Sequence, residues 1–171
     1  SVMKSMRRAA ALAAAVLATA LLPVAAQVCR TDIPESASAW SVNGQVATNT
    51  ATGLDVARCA VGQSWSGTTC TGTPTLLTWS QALQAAASTG GGWRLPNAKE
   101  LESVLDRRCV SPAVDTTIFP GATADRFWSS TPGWMIDQGD GTVVGAQAAT
   151  SLYAVRLVRS GFSNASYQRV V

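Results

Sequence analysis

Four cysteines, and no histidine, in a chain of 171 residues constrain the fold more than any other feature. They stand at Cys29, Cys59, Cys70 and Cys109. Four cysteines allow three pairings. Cys59 and Cys70 bracket the stretch AVGQSWSGTT, whose glycines and serines predict a turn. The expected pairing is therefore Cys59–Cys70, which leaves Cys29–Cys109 to tie an N-terminal arm to the body. The shorter loop alone contributes about 3 kcal/mol on chain-entropy grounds. A metal site fits poorly, because the spacings are not those of CxxC pairs and no imidazole completes a zinc set. A free redox thiol is the other alternative, and an even cysteine count in an exported chain argues against it.

Export is read from the N-terminus. Lys4, Arg7 and Arg8 precede an apolar run, Ala9 to Leu22, interrupted only by Thr19. Pro23 breaks the run, and Val24-Ala25-Ala26 supplies small residues for cleavage. The pattern predicts a secretory signal peptide over residues 1–26, cut after Ala26. A run of about 14 residues falls short of the roughly 20 that span a bilayer, so no transmembrane segment is expected once the leader is removed. An uncleaved anchor is the alternative. The expected location is secreted, periplasmic or on the cell surface of a bacterium, where disulfides persist. Thirteen Lys and Arg face ten Asp and Glu, and the three leader cations account for the whole excess of +3. A neutral mature chain has no general attraction to nucleic acid or anionic lipid, so neither partner is expected.

After an N-terminal arm over 27–41, the body is expected at 42–161 and a tail at 162–171. Val42 to Val46 around Asn43-Gly44 predicts a small hairpin. A turn at Thr52-Gly53 leads into an alternating strand, Leu54 to Ala60. Thr78 with Gln81 makes a capping box for a helix over 78–88, with Trp79, Ala82, Leu83 and Ala86 on one face. Gly90-Gly91-Gly92 ends that helix. "WRLP" is extended, because a residue before proline is pushed out of the α region. Asn97 and Glu100 form a second capping box for a helix from Ala98 to about Arg107, with Leu101, Val104 and Leu105 buried and Glu102 and Asp106 facing water. A strand is expected from Arg126 and a hairpin bending at Gly139-Asp140-Gly141. The last strand, within "SLYAVRLVRSG", is apolar on both faces and is expected to be central.

The pieces "TGL", "TWSQAL", "GGWRLPNAKEL", "FWSST" and "VRLVR" occur in that order. In this the chain resembles the DUF1566 family, also called the Lcl C-terminal domain after a collagen-like adhesin, over residues 42 to 160. The "RLP" segment is also similar to a motif of the formylglycine-generating enzyme family. The resemblance implies an α+β, C-type-lectin-like fold: two helices packed on a small, mostly antiparallel sheet with long loops. The family's motif residues fall on Trp79, Trp93, Arg94, Leu95, Pro96, Glu100, Leu101, Phe119, Trp128, Ser129, Ser130 and Arg156. These are read as scaffold. Trp93 and Trp128 are large enough to fill the space between helix and sheet, and Arg94 is expected to pair with Glu100, helped by Ser129 or Ser130.

The function this supports is an exported, non-catalytic, adhesin-like binding module. It would recognise a glycan or a surface protein at the bacterial envelope through loops 107–126 and 132–150. Trp134 is the candidate for stacking, and Arg107, Arg108 and Arg126 for an anionic ligand. No cofactor is expected. Asp125, Asp137 and Asp140 could supply oxygens to calcium, but "DQGDG" lacks an EF-hand ladder and reads as a turn. A structural subunit of an envelope or filament complex is the alternative. An enzyme of formylglycine-generating type would need a reactive cysteine pair and is less favoured. Neither a general-base histidine nor a nucleophile elbow is present.

Overall fold

The computed structural model describes residues 26–34 and 40–160. The expected leader up to Ala25, residues 35–39 of the expected arm, Gly161 and the expected tail at 162–171 lie outside the described residues. In chain order the elements are β1 (Val28–Cys29), β2 (Trp40–Asn43), β3 (Val46–Asn49), β4 (Leu54–Ala57), β5 (Ser64–Trp65), β6 (Cys70–Thr71), α1 (Trp79–Thr89), α2 (Ala98–Glu102), β7 (Cys109–Val110), β8 (Arg126–Trp128), β9 (Met135–Asp137), β10 (Thr142–Val144) and β11 (Val158–Ser160).

The turn chemistry reads out directly. Gly44-Gln45 joins β2 to β3, with Asn43 opposite Val46 and Val42 opposite Ala47. The bend between β9 and β10 runs through 138–141, with Thr142 opposite Asp137. The α+β class holds, but the single small sheet is replaced by four antiparallel ones. The largest has the order β11-β4-β3-β2, the next β10-β9-β8, and β1-β7 and β5-β6 are two-stranded ribbons.

Three expectations change. The strand expected over Leu54–Ala60 stops at Ala57, where Arg58 leaves the sheet to grip backbone carbonyls elsewhere. The second helix ends at Glu102. Ser103 Oγ donates to the Glu100 carbonyl, and the amides of Val104 and Leu105 reach back only three residues, to Leu101 and Glu102. The chain thus tightens out of α geometry. Leu101 and Val104 are still buried as expected. Finally, β11 is an edge strand of its sheet, not a central one. Its apolar faces are explained by the coil packed around it: Val158 exchanges backbone hydrogen bonds of 2.8 and 2.9 Å with Arg94 on its outer side.

Burial follows three apolar clusters. Ala47, Leu54, Val56, Val114, Phe119 and Val158 pack beneath the largest sheet. Ala82 and Ala86 of α1 pack on Leu95, Trp128, Met135, Val155 and Leu157. Leu101 of α2 meets Phe127, Ile136 and Ala154 of the three-stranded layer. Area buried by side chains of this size contributes about 1.5–3 kcal/mol each. The segment at 106–125 is anchored in this base by Val114 and Phe119, while the turn at 131–134 and the chain from 145 to 151 run over its surface.

Both expected disulfides are present, Cys29–Cys109 and Cys59–Cys70. The first draws β1 onto β7. The Gln27 side chain adds hydrogen bonds to the carbonyls of Pro112 (2.8 Å) and Val114 (2.7 Å). The part of the arm at 26–34 is therefore fastened to the body.

Candidate functional site

The motif segment is closed on itself. The Arg94 fork donates two bonds of 2.7 Å to the two carboxylate oxygens of Glu100. The same carboxylate accepts from the Asn97 amide, while Asn97 Oδ1 accepts from the Glu100 amide, which completes the capping box. The guanidinium holds the Glu100 carboxyl below its ordinary range. Ser129 and Ser130 do not join the pair. The Ser129 hydroxyl donates to the Thr131 and Trp134 carbonyls, and the Ser130 amide donates to the carbonyl of buried Pro96.

The tryptophans divide. Trp128 is fully buried, donates to the Leu77 carbonyl at 2.8 Å and tilts against Tyr153. Trp79 donates to the Ser129 carbonyl at 2.9 Å. Trp93 does not fill the interior; it is half-buried, with the Arg159 guanidinium 4.5 Å from its ring centre.

Arg156 is buried at the junction of the first and third clusters. Its Nη1 donates to the carbonyls of Ala57 (2.9 Å) and Arg58 (2.7 Å), and its plane lies near the rings of Phe119 and Phe127. Burial pushes its pKa down to about 10. Arg58 works similarly: it donates to the carbonyls of Gly44, Thr117 and Ile118 and lies 4.8 Å from the Trp65 ring. Sequence reasoning missed Arg58. It has no partner at a recognisable spacing, since the carbonyls it holds are 14 to 60 residues away.

The three arginines offered for an anionic ligand are each engaged by a carboxylate. Arg107 reaches Glu102 at 2.5 Å, Arg108 reaches Asp106 at 2.7 Å, and Arg126 reaches Asp137 at 2.9 Å. Asp106, expected to face water, is half-buried in this pairing, and Arg108 holds its carboxyl below the ordinary range. A bare basic patch is therefore not what the fold makes from these residues.

The carboxylates weighed for calcium also have protein partners. Asp125 accepts from the Thr123 hydroxyl, Asp137 from Arg126 and the Gly139 amide, and Asp140 from both the amide and hydroxyl of Thr142. These are turn and strand contacts. Among the described residues no group of three or more His, Cys, Asp or Glu is placed to hold a metal, and no helix is long and apolar enough to cross a membrane.

Trp134 stands out from the other motif-rich aromatics. It is 42% exposed and follows the turn Thr131-Pro132-Gly133, with its amide bonded to the Thr131 carbonyl at 3.1 Å. Its own carbonyl accepts from both the amide and the hydroxyl of Ser129. The backbone at this site is fixed, while the indole remains accessible.

An open cleft of about 570 Å³ lies elsewhere, between the arm and the 106–117 segment, lined by Gln27, Arg30, Ile33, Pro34, Val114 and Thr116 among others. The sequence signal for it was the Cys29–Cys109 pairing, which brings these segments together.

No curated protein matches the chain. No solved structure matches it. A family model described as the Lcl C-terminal domain matches residues 45–159.

Proposed function

The chain belongs to the Lcl C-terminal domain family, and from that premise we propose that it is an exported, non-catalytic binding module of adhesin-like kind. Family membership and two disulfides fit an extracellular or periplasmic domain. We read the architecture, two helices on small antiparallel sheets with long loops, as C-type-lectin-like. The ligand on this reading is a glycan or a surface protein at the bacterial envelope, met by the loops 107–126 and 132–150.

One observation carries the proposal. The polar residues of the motif are consumed by the scaffold, as the doubly bonded Arg94–Glu100 pair illustrates, whereas Trp134 on the outer loops stays exposed on a fixed backbone. Rigid bases with accessible loops suit recognition. All four cysteines are in disulfides, which supports a non-catalytic role over one that needs a reactive pair.

The test is binding of the exported protein to a glycan array and to whole cells, with and without calcium. Trp134→Ala is expected to weaken binding about tenfold or more with an unchanged melting temperature. Arg94→Ala is expected to lower the melting temperature. Binding that survives Trp134→Ala but vanishes in a still-folded Arg94→Ala variant would move the site into the motif and end this reading.

A further inference from the structure

Trp134 is held in an unusual way. A Cβ placed on Gly145 would lie 3.1 to 3.2 Å from Cζ2, Cε2 and Cη2 of the indole. These are three consecutive atoms of the six-membered ring. An approach from the ring edge would make the middle atom clearly nearer than its neighbours. Near-equal distances therefore put Gly145 over the ring face. Gly145 lies against one face of the indole, and Trp134 as a whole is 42% exposed.

The covering segment is itself constrained. Ala146 takes φ +58°, one of two non-glycine residues with positive φ among those described. Such strain persists only where the surroundings over-determine it, and it clusters at ligand sites. The surroundings here are visible: the Gln147 amide donates to the Gly133 carbonyl at 3.0 Å, and Gln147 Oε1 accepts from the Tyr153 hydroxyl at 2.5 Å. The loop behind the indole and the turn that carries it are tied together.

The size and charge of the surroundings select the ligand. Between residues 126 and 150, Trp134 is the one exposed large apolar side chain, with Leu152, 55% exposed, just beyond. A protein interface of standard size needs roughly 800 Å² per partner with an apolar centre, more than one indole and one leucine supply. A sulfated polymer needs free cations, yet Arg107, Arg108 and Arg126 each already hold a carboxylate. A single flat apolar face, immobilised in advance, matches one sugar ring and loses little entropy on binding.

We propose that the open face of Trp134 stacks on the apolar face of an uncharged sugar ring, with Gly145 and Ala146 as positioning residues behind it. The proposal rests on the binding-module reading above and narrows its ligand to a neutral glycan.

The test uses the full exported chain, a panel of soluble neutral polysaccharides (a β-glucan, a mannan, a galactan), and heparin as the sulfated comparison. Binding is followed by tryptophan fluorescence and by affinity electrophoresis at two salt concentrations. The expected result is binding to at least one neutral polymer, insensitive to salt. It is weakened about tenfold or more by Trp134→Ala, as for loss of a central aromatic anchor, and largely kept by Trp134→Phe. Gly145→Ala, whose methyl group shifts the indole by a few tenths of an ångström, is expected to weaken binding modestly with the melting temperature little changed. Arg107→Gln and Arg126→Gln should leave it intact. Salt-sensitive binding to heparin that disappears in the arginine variants overturns the neutral-sugar proposal while the binding-module reading survives. Binding to cells or to an isolated protein with no polysaccharide bound has the same consequence. No binding to any of these ends both.

Discussion

The Arg156 guanidinium lies 4.9 Å from the centre of the Phe119 ring, and no ion pair joins it to a carboxylate among the described residues. A cation is here used as a backbone clamp. It holds the carbonyls of Ala57 and Arg58 at the point where β4 ends, between two aromatic rings. The cost is visible in its pKa, pushed by burial from the ordinary arginine range down to about 10. A base whose folded pKa is depressed opposes folding while it is charged, so the penalty is present at neutral pH and fades above about pH 10.

That penalty, roughly 3 kcal/mol for a shift of this size, sets the first prediction. Arg156→Met removes it but leaves two carbonyls without their donor, and the two effects oppose one another. The methionine variant should unfold within about 2 kcal/mol of the parent, whereas Arg156→Ala, which also leaves a cavity, should lose about 3–5 kcal/mol. Urea denaturation of both variants measures the difference. Equal losses would show that the filled volume contributes little and that the charge and the clamp, lost in both variants, decide the matter.

Glu100 makes stability depend on acid. Its folded pKa lies below its unfolded value, chiefly through the Arg94 hydrogen bonds. Its contribution is therefore full above the ordinary glutamate range, near pH 4.3, and is lost as pH falls through the lowered folded value. Arg94 is partly exposed, so the effect is about 1 kcal/mol. Glutamine at this position preserves the capping box, so Glu100→Gln should be about 1 kcal/mol less stable than the parent at pH 7, with the gap narrowing as the pH falls through the lowered folded value. Paired urea titrations at neutral and acid pH would show the gap narrowing.

The two disulfides should differ. Cys29–Cys109 closes a span of 80 residues and Cys59–Cys70 one of 11. Chain entropy assigns about 4.5 kcal/mol to the first and about 3 kcal/mol to the second. Replacing both cysteines of a pair by alanine should lower the unfolding midpoint more for the longer span. The reverse order would mean that the arm contributes little beyond its own tether.

Gly121 cannot be changed cheaply. A Cβ there would sit 2.1 Å from the Cys70 carbonyl oxygen, at φ +73°. Gly90, at φ +68°, faces open space. Gly90→Ala should cost about 1 kcal/mol, the conformational price alone. Gly121→Ala adds a backbone collision and should cost well over 2 kcal/mol. Thermal melts of the two variants compare the terms directly.

What could be read from the chain alone was whatever depends on near neighbours. Both capping boxes, the Asn43-Gly44 hairpin, the bend at 138–141, the Cys59–Cys70 pairing, the Arg94–Glu100 contact and the family kinship all rest on residues close in sequence, or on an ordered set of such segments, and Cys29–Cys109 then followed by elimination. Steric limits on φ and short hydrogen bonds are local, so these were legible. Tertiary structure alone decided the rest. It ended α2 at Glu102 and β4 at Ala57, placed β11 at an edge, and left Trp93 half-exposed while sealing Trp128. It also gave every arginine offered for an anion a carboxylate of its own. The physical reason is common to all of them: burial and charge pairing are settled by which distant segments meet, and a one-dimensional pattern does not contain that distance.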